Sequence, residues 1–180
     1  KLTKANPGAV SYSSAGAAST TFVAVELFTR QAGVKMLHVP YRGGGQALTA
    51  VVSGEVSVYF APVTVAMPFI KEGRLRLLAI STAKRLTWLP EYPTVAESGF
   101  PGYEFGFWHG LMVPAQTPKE TIAAIHAATI KTLGRSDIIK RMRDLGYVTL
   151  SEQPEEFAAF IKADIEKWRR IVKESGIAVN

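Results

Sequence analysis

The chain contains no cysteine, which excludes disulfides, thiolate zinc sites and cysteine nucleophiles and leaves the redox compartment open. Acids are scarce where catalysis would need them. The first aspartate is Asp137, and the three histidines, His38, His109 and His126, are scattered without metal-ligand spacing, so neither a metal centre nor acid-base chemistry is expected. No serine occupies a Gly-x-Ser-x-Gly elbow. No stretch reaches the roughly 18 to 20 consecutive apolar residues that a membrane-spanning helix requires, because Lys, Arg, Glu, Gly or Pro interrupts each one. Lys1 to Pro7 are polar and lack the apolar centre of a signal peptide, so an export signal is expected upstream of Lys1 or already removed.

What remains is an ordered globular composition: 47% apolar and 20% charged over 180 residues, enough to bury a core and far from the disordered class. The net charge of +6 could serve nucleic acid, an acidic membrane or anionic ligands. Many of the basic residues fall in the last third, from Lys131 to Lys173, interleaved with acids and apolar residues. That pattern reads as solvated helix faces, and no nucleic-acid signature accompanies it.

From residue 10 to 81, strand-like and helix-like runs alternate at the length of a strand-helix unit. Val10 to Ser13, Met36 to Val39, Val56 to Phe60 and Leu75 to Ser81 read as strands. Val23, Leu27 and Phe28 mark a first amphipathic helix stopped by Gly33, and Ala47, Leu48, Val51 and Val52 a second stopped by Gly54. Thr64 to Glu72 reads as a third, which Pro68 delays or kinks. Such alternation predicts an α/β lobe, a doubly wound and largely parallel sheet. Thr94 and Glu97 have capping-box spacing. A long apolar strand is expected over Phe105 to Val113. Thr117, Pro118 and Glu120 give an N-cap, an N1 proline and an N3 glutamate for a following helix. A second helix is expected over Asp137 to Leu145, and a short strand over Tyr147 to Leu150. The final helix carries Phe157, Phe160, Ile161, Ile165, Trp168 and Ile171 at spacings of three and four.

Two loops could carry chemistry. Ser13, Ser14, Ala15, Gly16, Ala17, Ala18, Ser19 and Thr20 join the first strand to the first helix. Small residues there let backbone N–H groups and hydroxyls face a ligand, and the helix N-terminus favours an anion, a carboxylate or a phosphate. The same residues also serve as ordinary N-caps. Pro40, Tyr41, Arg42 and Gly43 to Gly45 follow the second strand. This loop is neither a Walker A loop nor a dinucleotide fingerprint. It reads either as a ligand-facing turn in which Arg42 supplies a charged donor, or as a plain strand-to-helix turn with a surface arginine.

Taken in order, several segments resemble the Bug receptors of the tripartite tricarboxylate transporter family. They are Asn6-Pro7-Gly8 leading to Ser11-Tyr12-Ser13-Ser14-Ala15-Gly16, Glu26-Leu27-Phe28 with Ala32-Gly33, and His38-Val39-Pro40-Tyr41-Arg42-Gly43. Gly73 to Ala79, Tyr92 to Gly99, Trp108-His109-Gly110-Leu111, Pro114 to Pro118 and Trp168 to Ile177 continue the match. The resemblance implies a two-lobed periplasmic clamshell that closes on a small organic acid and hands it to membrane subunits, without catalysis, metal or cofactor. It implies that residues 1–113 form the second, ligand-binding lobe, and that residues 114–180 make the hinge crossing and the C-terminal helices of an incomplete first lobe. Ser13 to Thr20 would hold the carboxylate, with Tyr41, Arg42 and Gly43 lining the cleft. The competing reading is an enzyme acting on a small carboxylate or phosphate ester at the same anion site. This chain has Ser57 where the family commonly carries Asp, and the first lobe's own glycine-rich turn is not in it. The C-terminal helices, lacking that lobe, are expected to mediate self-association.

Overall fold

The computed structural model describes residues 2–17 and 19–175. Two compact units divide the chain, one running to Phe107 and resuming at Val172, the other spanning Trp108–Ile171.

The first unit opens with a single helical turn, α1 (Leu2–Ala5), and then alternates strand and helix: β1 (Ser11–Ser14), α2 (Thr20–Ala32), β2 (Leu37–Pro40), α3 (Gly44–Val52), β3 (Val58–Tyr59) and α4 (Val63–Lys71). The three strands form one parallel sheet in the order β2-β1-β3. The chain moves from β1 out to β2, then back past β1 to β3, so its two crossovers run in opposite directions. Right-handed crossovers then place α2 and α3 on opposite faces of the sheet. Side-chain alternation along β1 agrees. The Tyr12 hydroxyl donates to Glu26 on α2, whereas the next residue, Ser13, donates to the Ala47 carbonyl on α3.

Local chemistry sets the element ends. Ser19 is extended and accepts from Phe22 N, which caps α2, and Gly33 closes that helix at φ 60°, the left-handed conformation that glycine adopts without strain. Thr21, Ala24, Val25, Thr29 and Ala32 are the buried stripe of α2, spaced by one, three and four residues as a core-facing helix requires. Pro68 lies inside α4, which has already started at Val63, so the helix begins before the proline rather than at it. A cluster of Phe28, Phe60, Phe100 and Tyr103 packs around α2, and the buried Tyr103 hydroxyl donates to the Ala24 carbonyl at 2.8 Å.

Several expected strands are absent as strands among the described residues. Leu75 to Ser81 pairs only through one isolated parallel bridge between Ile80 and Thr94. Phe105 N donates to Ser81 O at 2.7 Å, but no ladder continues over 106–113, and 147–150 likewise form none. Apolar sequence makes a strand only where a neighbouring backbone supplies hydrogen bonds; without one these runs stay irregular, leaving Leu111 and Met112 exposed. The Thr94-Glu97 box does form: Glu97 Oε2 accepts from Thr94 N at 2.7 Å and Thr94 Oγ1 accepts from Glu97 N at 3.1 Å.

In the second unit lie α5 (Lys119–Leu133), α6 (Ser136–Asp144) and most of α7 (Pro154–Ser175). Pro118, not Thr117, occupies the N-cap of α5, and no side chain caps it. Proline offers no side-chain acceptor, so the expected box is replaced by an uncapped start. Trp108 packs edge-on against Phe157 and Phe160, and its indole N–H donates to Asp164 Oδ2 at 3.0 Å. No residue of α5 or α6 is buried.

Candidate ligand-binding site

Parallel pairing of Ser14 with Pro40 brings the carboxyl ends of β1 and β2 to one edge of the sheet. The loops that leave these strands are joined by a hydrogen bond from Tyr41 N to Ser14 O at 3.0 Å. A Cβ built on Gly16 would lie 3.7 Å from the Tyr41 carbonyl oxygen. Strand order reverses between β1 and β3, and in an open α/β sheet ligands bind outside the carboxyl ends at such a reversal. Two helix N-termini, those of α2 and α3, start at this edge, each with backbone N–H groups that have no acceptor inside the helix.

The β1 turn is held from within. Gly16 adopts φ 131°, open to glycine and strained for other residues. Ser19 Oγ donates to Gly16 O at 2.7 Å and accepts from Phe22 N at 3.2 Å. Thr21 Oγ1 accepts from Ala15 N at 3.0 Å and lies 2.9 Å from Ser19 Oγ. If the Thr21 hydroxyl donates to Ser19, every hydrogen in this set has one acceptor. The turn is therefore preorganised before any ligand arrives.

Not all the residues singled out in sequence face the edge in the same way. Ser13 and Ser14 are fully buried. Ser13 Oγ is spent on Ala47 O, and Ser14 Oγ lies 2.7 Å from His38 Nε2. Ala15, Gly16 and Ser19 are half-buried in the turn, while Ala17 and Thr20 are exposed. Ala18 lies outside the described residues, as do 176–180. Tyr41 turns its hydroxyl to Glu55 Oε1 at 3.0 Å, and desolvation first, then this bond, raises its pKa. Arg42 is exposed, its guanidinium without an ion pair among the described residues. Gly43 is the N-cap of α3 in extended backbone and offers no side-chain cap. Ser57, at the departure from the family pattern, donates its N–H to Ser11 Oγ at 3.1 Å.

Two residues at this edge were not legible as site residues. The Tyr59 hydroxyl is buried and makes no hydrogen bond meeting normal geometry among the described residues. It stands 3.1 Å from where a Cβ of Gly44 would be, so Gly44 leaves room for it. Burial raises its pKa, and Thr21 nearby offsets part of the rise. His38 is the other: its ring stacks on Tyr12 at 4.8 Å and packs against Phe22 at 4.7 Å. Desolvation lowers its pKa below the ordinary 6.5, against an opposing pull from Glu26. Strand register carried the signal, since His38 pairs with Tyr12, but register follows only from knowing which strands are neighbours. Among the described residues no group of His, Asp or Glu could hold a metal ion. The edge thus offers backbone donors, hydroxyls and one exposed cation, a chemistry suited to binding an anion.

The family described as tripartite tricarboxylate transporter family receptor matches residues 1–177. The UPF0065 protein in the tcbD-tcbE intergenic region of Pseudomonas sp. (strain P51) is 33% identical over 181 residues, covering 100% of this chain and 54% of that protein. Among solved structures, R. palustris Rpa4515 with adipate superposes with a TM-score of 0.90 at 30% identity, over 98% of this chain and 59% of that one. The periplasmic binding protein BugD gives 0.87 at 28% identity, over 98% and 60%. MatC (Rpa3494) from Rhodopseudomonas palustris with bound malate gives 0.80 at 30%, over 95% and 59%. The chain spans about half the length of most of the curated relatives it matches, the protein of Pseudomonas sp. (strain P51) among them.

Proposed function

Because this chain belongs to the tripartite tricarboxylate transporter receptor family and is of the Bug type, we propose that the full-length protein is a passive periplasmic receptor for a small organic acid. It captures the acid through a carboxylate and delivers it to the membrane subunits of a tripartite transporter. Residues 1–113 serve as one wall of the clamshell, and 114–180 as the hinge crossing and the C-terminal helices of the other lobe. The carboxylate sits at the turn Ala15 to Thr20, beside Tyr41 to Gly43. Within that turn the contacts come from backbone N–H groups and exposed hydroxyls such as Thr20, with Arg42 supplying long-range attraction. The buried Ser13 and Ser14 act from behind.

The observation that carries this reading is the hydrogen bond from Tyr41 N to Ser14 O, which fixes two small-residue turns side by side at a helix-rich sheet edge. Adipate and malate, bound by two structural neighbours, are the first ligands to try. Calorimetry of the full-length receptor with each acid and with its uncharged diamide is the test. Binding of an acid without binding of its amide supports the assignment. Turnover of the acid would replace the receptor reading with the enzyme, and equal affinity for acid and amide would remove the carboxylate from the site.

A further inference from the structure

Ser14 is completely buried, yet its hydroxyl touches three polar atoms. Ser14 Oγ lies 2.7 Å from His38 Nε2, 3.2 Å from Gly16 N and 3.1 Å from Gly16 O. Gly16 O in turn receives Ser19 Oγ at 2.7 Å and Ser19 N at 3.0 Å, the contacts that hold the N-cap of α2. We propose that His38 is a positioning residue for the carboxylate turn, acting through Ser14, and that its protonation state sets where the Ser14 hydroxyl hydrogen points. This rests on reading the Ala15 to Thr20 turn as the carboxylate site.

The hydrogen bookkeeping has two solutions. With a neutral ring protonated at Nδ1, Nε2 accepts the Ser14 hydroxyl hydrogen, and Ser14 Oγ is left to accept Gly16 N–H. Gly16 O then serves only Ser19. With a protonated ring, or a neutral one carrying its proton on Nε2, Nε2 is a donor and Ser14 Oγ accepts from it. The hydroxyl hydrogen must turn toward Gly16 O, where a third donor competes with the two from Ser19 for two lone pairs. One proton on His38 therefore reaches the turn through a single buried oxygen. Tyr12 and Ser14 face the imidazole from β1, and Phe22 and Glu26 from α2. Of these only Glu26 brings a charge, and the Tyr12 hydroxyl holds its carboxylate at 2.8 Å. Burial keeps the ring neutral at pH 7, and in the proposed resting arrangement it carries its proton on Nδ1, which leaves Nε2 the acceptor.

The test follows the His38 ring and the Gly16 and Ser19 amides by NMR through a pH titration of the ligand-free full-length receptor. Both amides are expected to move with the midpoint of His38, and the coupling to disappear in Ser14→Ala. Amides that ignore the His38 titration would overturn the proposal. For binding, with adipate as probe, His38→Leu should weaken affinity about tenfold. His38→Gln, whose amide reaches the position of Nε2, should restore it to within about threefold of the parent. Equal losses in both variants, at unchanged thermal stability, would leave His38 without a positioning role. A parent receptor that bound no dicarboxylate would overturn the site assignment instead, and the amide titration would still decide the coupling.

Discussion

Tyr12, in the central strand, donates its hydroxyl hydrogen to Glu26 Oε1 on α2 at 2.8 Å, tying the sheet to the helix that starts at the candidate site. The ring is 1% exposed. Burial first, and then the Glu26 carboxylate, push the phenol pKa far above its usual 10.0. Tyr103 shifts upward from the same value through burial. Folding therefore favours the protonated phenols. Their contribution is fully present below the unfolded value and is lost as pH rises past it. Urea midpoints should fall progressively as pH rises above about 10. Tyr12→Phe should flatten part of that fall while costing about 1.5 kcal/mol at neutral pH, the scale of a hydrogen bond to a charged group.

On the acid side, Glu97 is the group to watch. The backbone bond from Thr94 and then the Arg85 guanidinium hold its carboxyl below the ordinary 4.5. A depressed acid stabilises the fold above its unfolded pKa and ceases to do so as pH falls through the folded value. Glu97→Gln should remove the part of the acid transition below about pH 4.5 and lower neutral stability by the same amount, a small one because the ion pair is exposed. Thr94→Ala, which strips the other half of the box, should cost about 1 kcal/mol in chemical denaturation.

Within the second unit, Gly110 has no room for a side chain: a Cβ there would overlap the Phe157 ring. Gly110→Ala should destabilise that unit by about 1–3 kcal/mol. Phe157→Leu should recover part of the loss, giving a non-additive double mutant. Additive free energies would mean that the two residues do not touch.

Gly16→Val combines a strained φ with a side chain turned toward the Tyr41 carbonyl. In the full-length receptor it should weaken carboxylate binding at least about tenfold, or about 1.4 kcal/mol, by closing the backbone approach. Unchanged affinity by calorimetry would move the site away from this turn.

Expressed by itself, the 180-residue chain should self-associate through its C-terminal helices and their neighbours. Leu111, Met112, Val148 and Leu150 are each more than 60% exposed, and Phe160 and Ile165 of α7 are also uncovered. Each large apolar side chain gains about 1.5–3 kcal/mol on full burial, so an assembly that covers several of them is favoured. Sedimentation velocity should show mass rising with concentration; a compact monomer throughout would contradict this.

The strand-helix rhythm of the first unit was legible because its signals are local. The first three alternating runs coincide, within a residue or two, with β1, β2 and β3, and Gly33 stops α2 as expected. The small-residue turn after β1 was legible for the same reason, as was the Thr94-Glu97 box. Three things waited for the tertiary structure. Strand order β2-β1-β3 decided that the Ser13 to Thr20 and Tyr41 to Gly45 loops, which the strand-helix rhythm already placed at one edge, are neighbours there, and that β1 and β3 mark the reversal. Pairing partners decided that 75–81, 106–113 and 147–150 remain irregular, since β propensity without a neighbouring backbone makes no ladder. Register decided which serines work inward: Ser13 against Ala47 and Ser14 against His38. The sequence by itself thus determined that a turn of small residues precedes a helix at this edge, the local chemistry on which the proposed anion binding rests. The arrangement of hydrogens behind the turn depended on residues 24 and 34 positions apart in the chain, and contacts at that separation exist only once the sheet has formed.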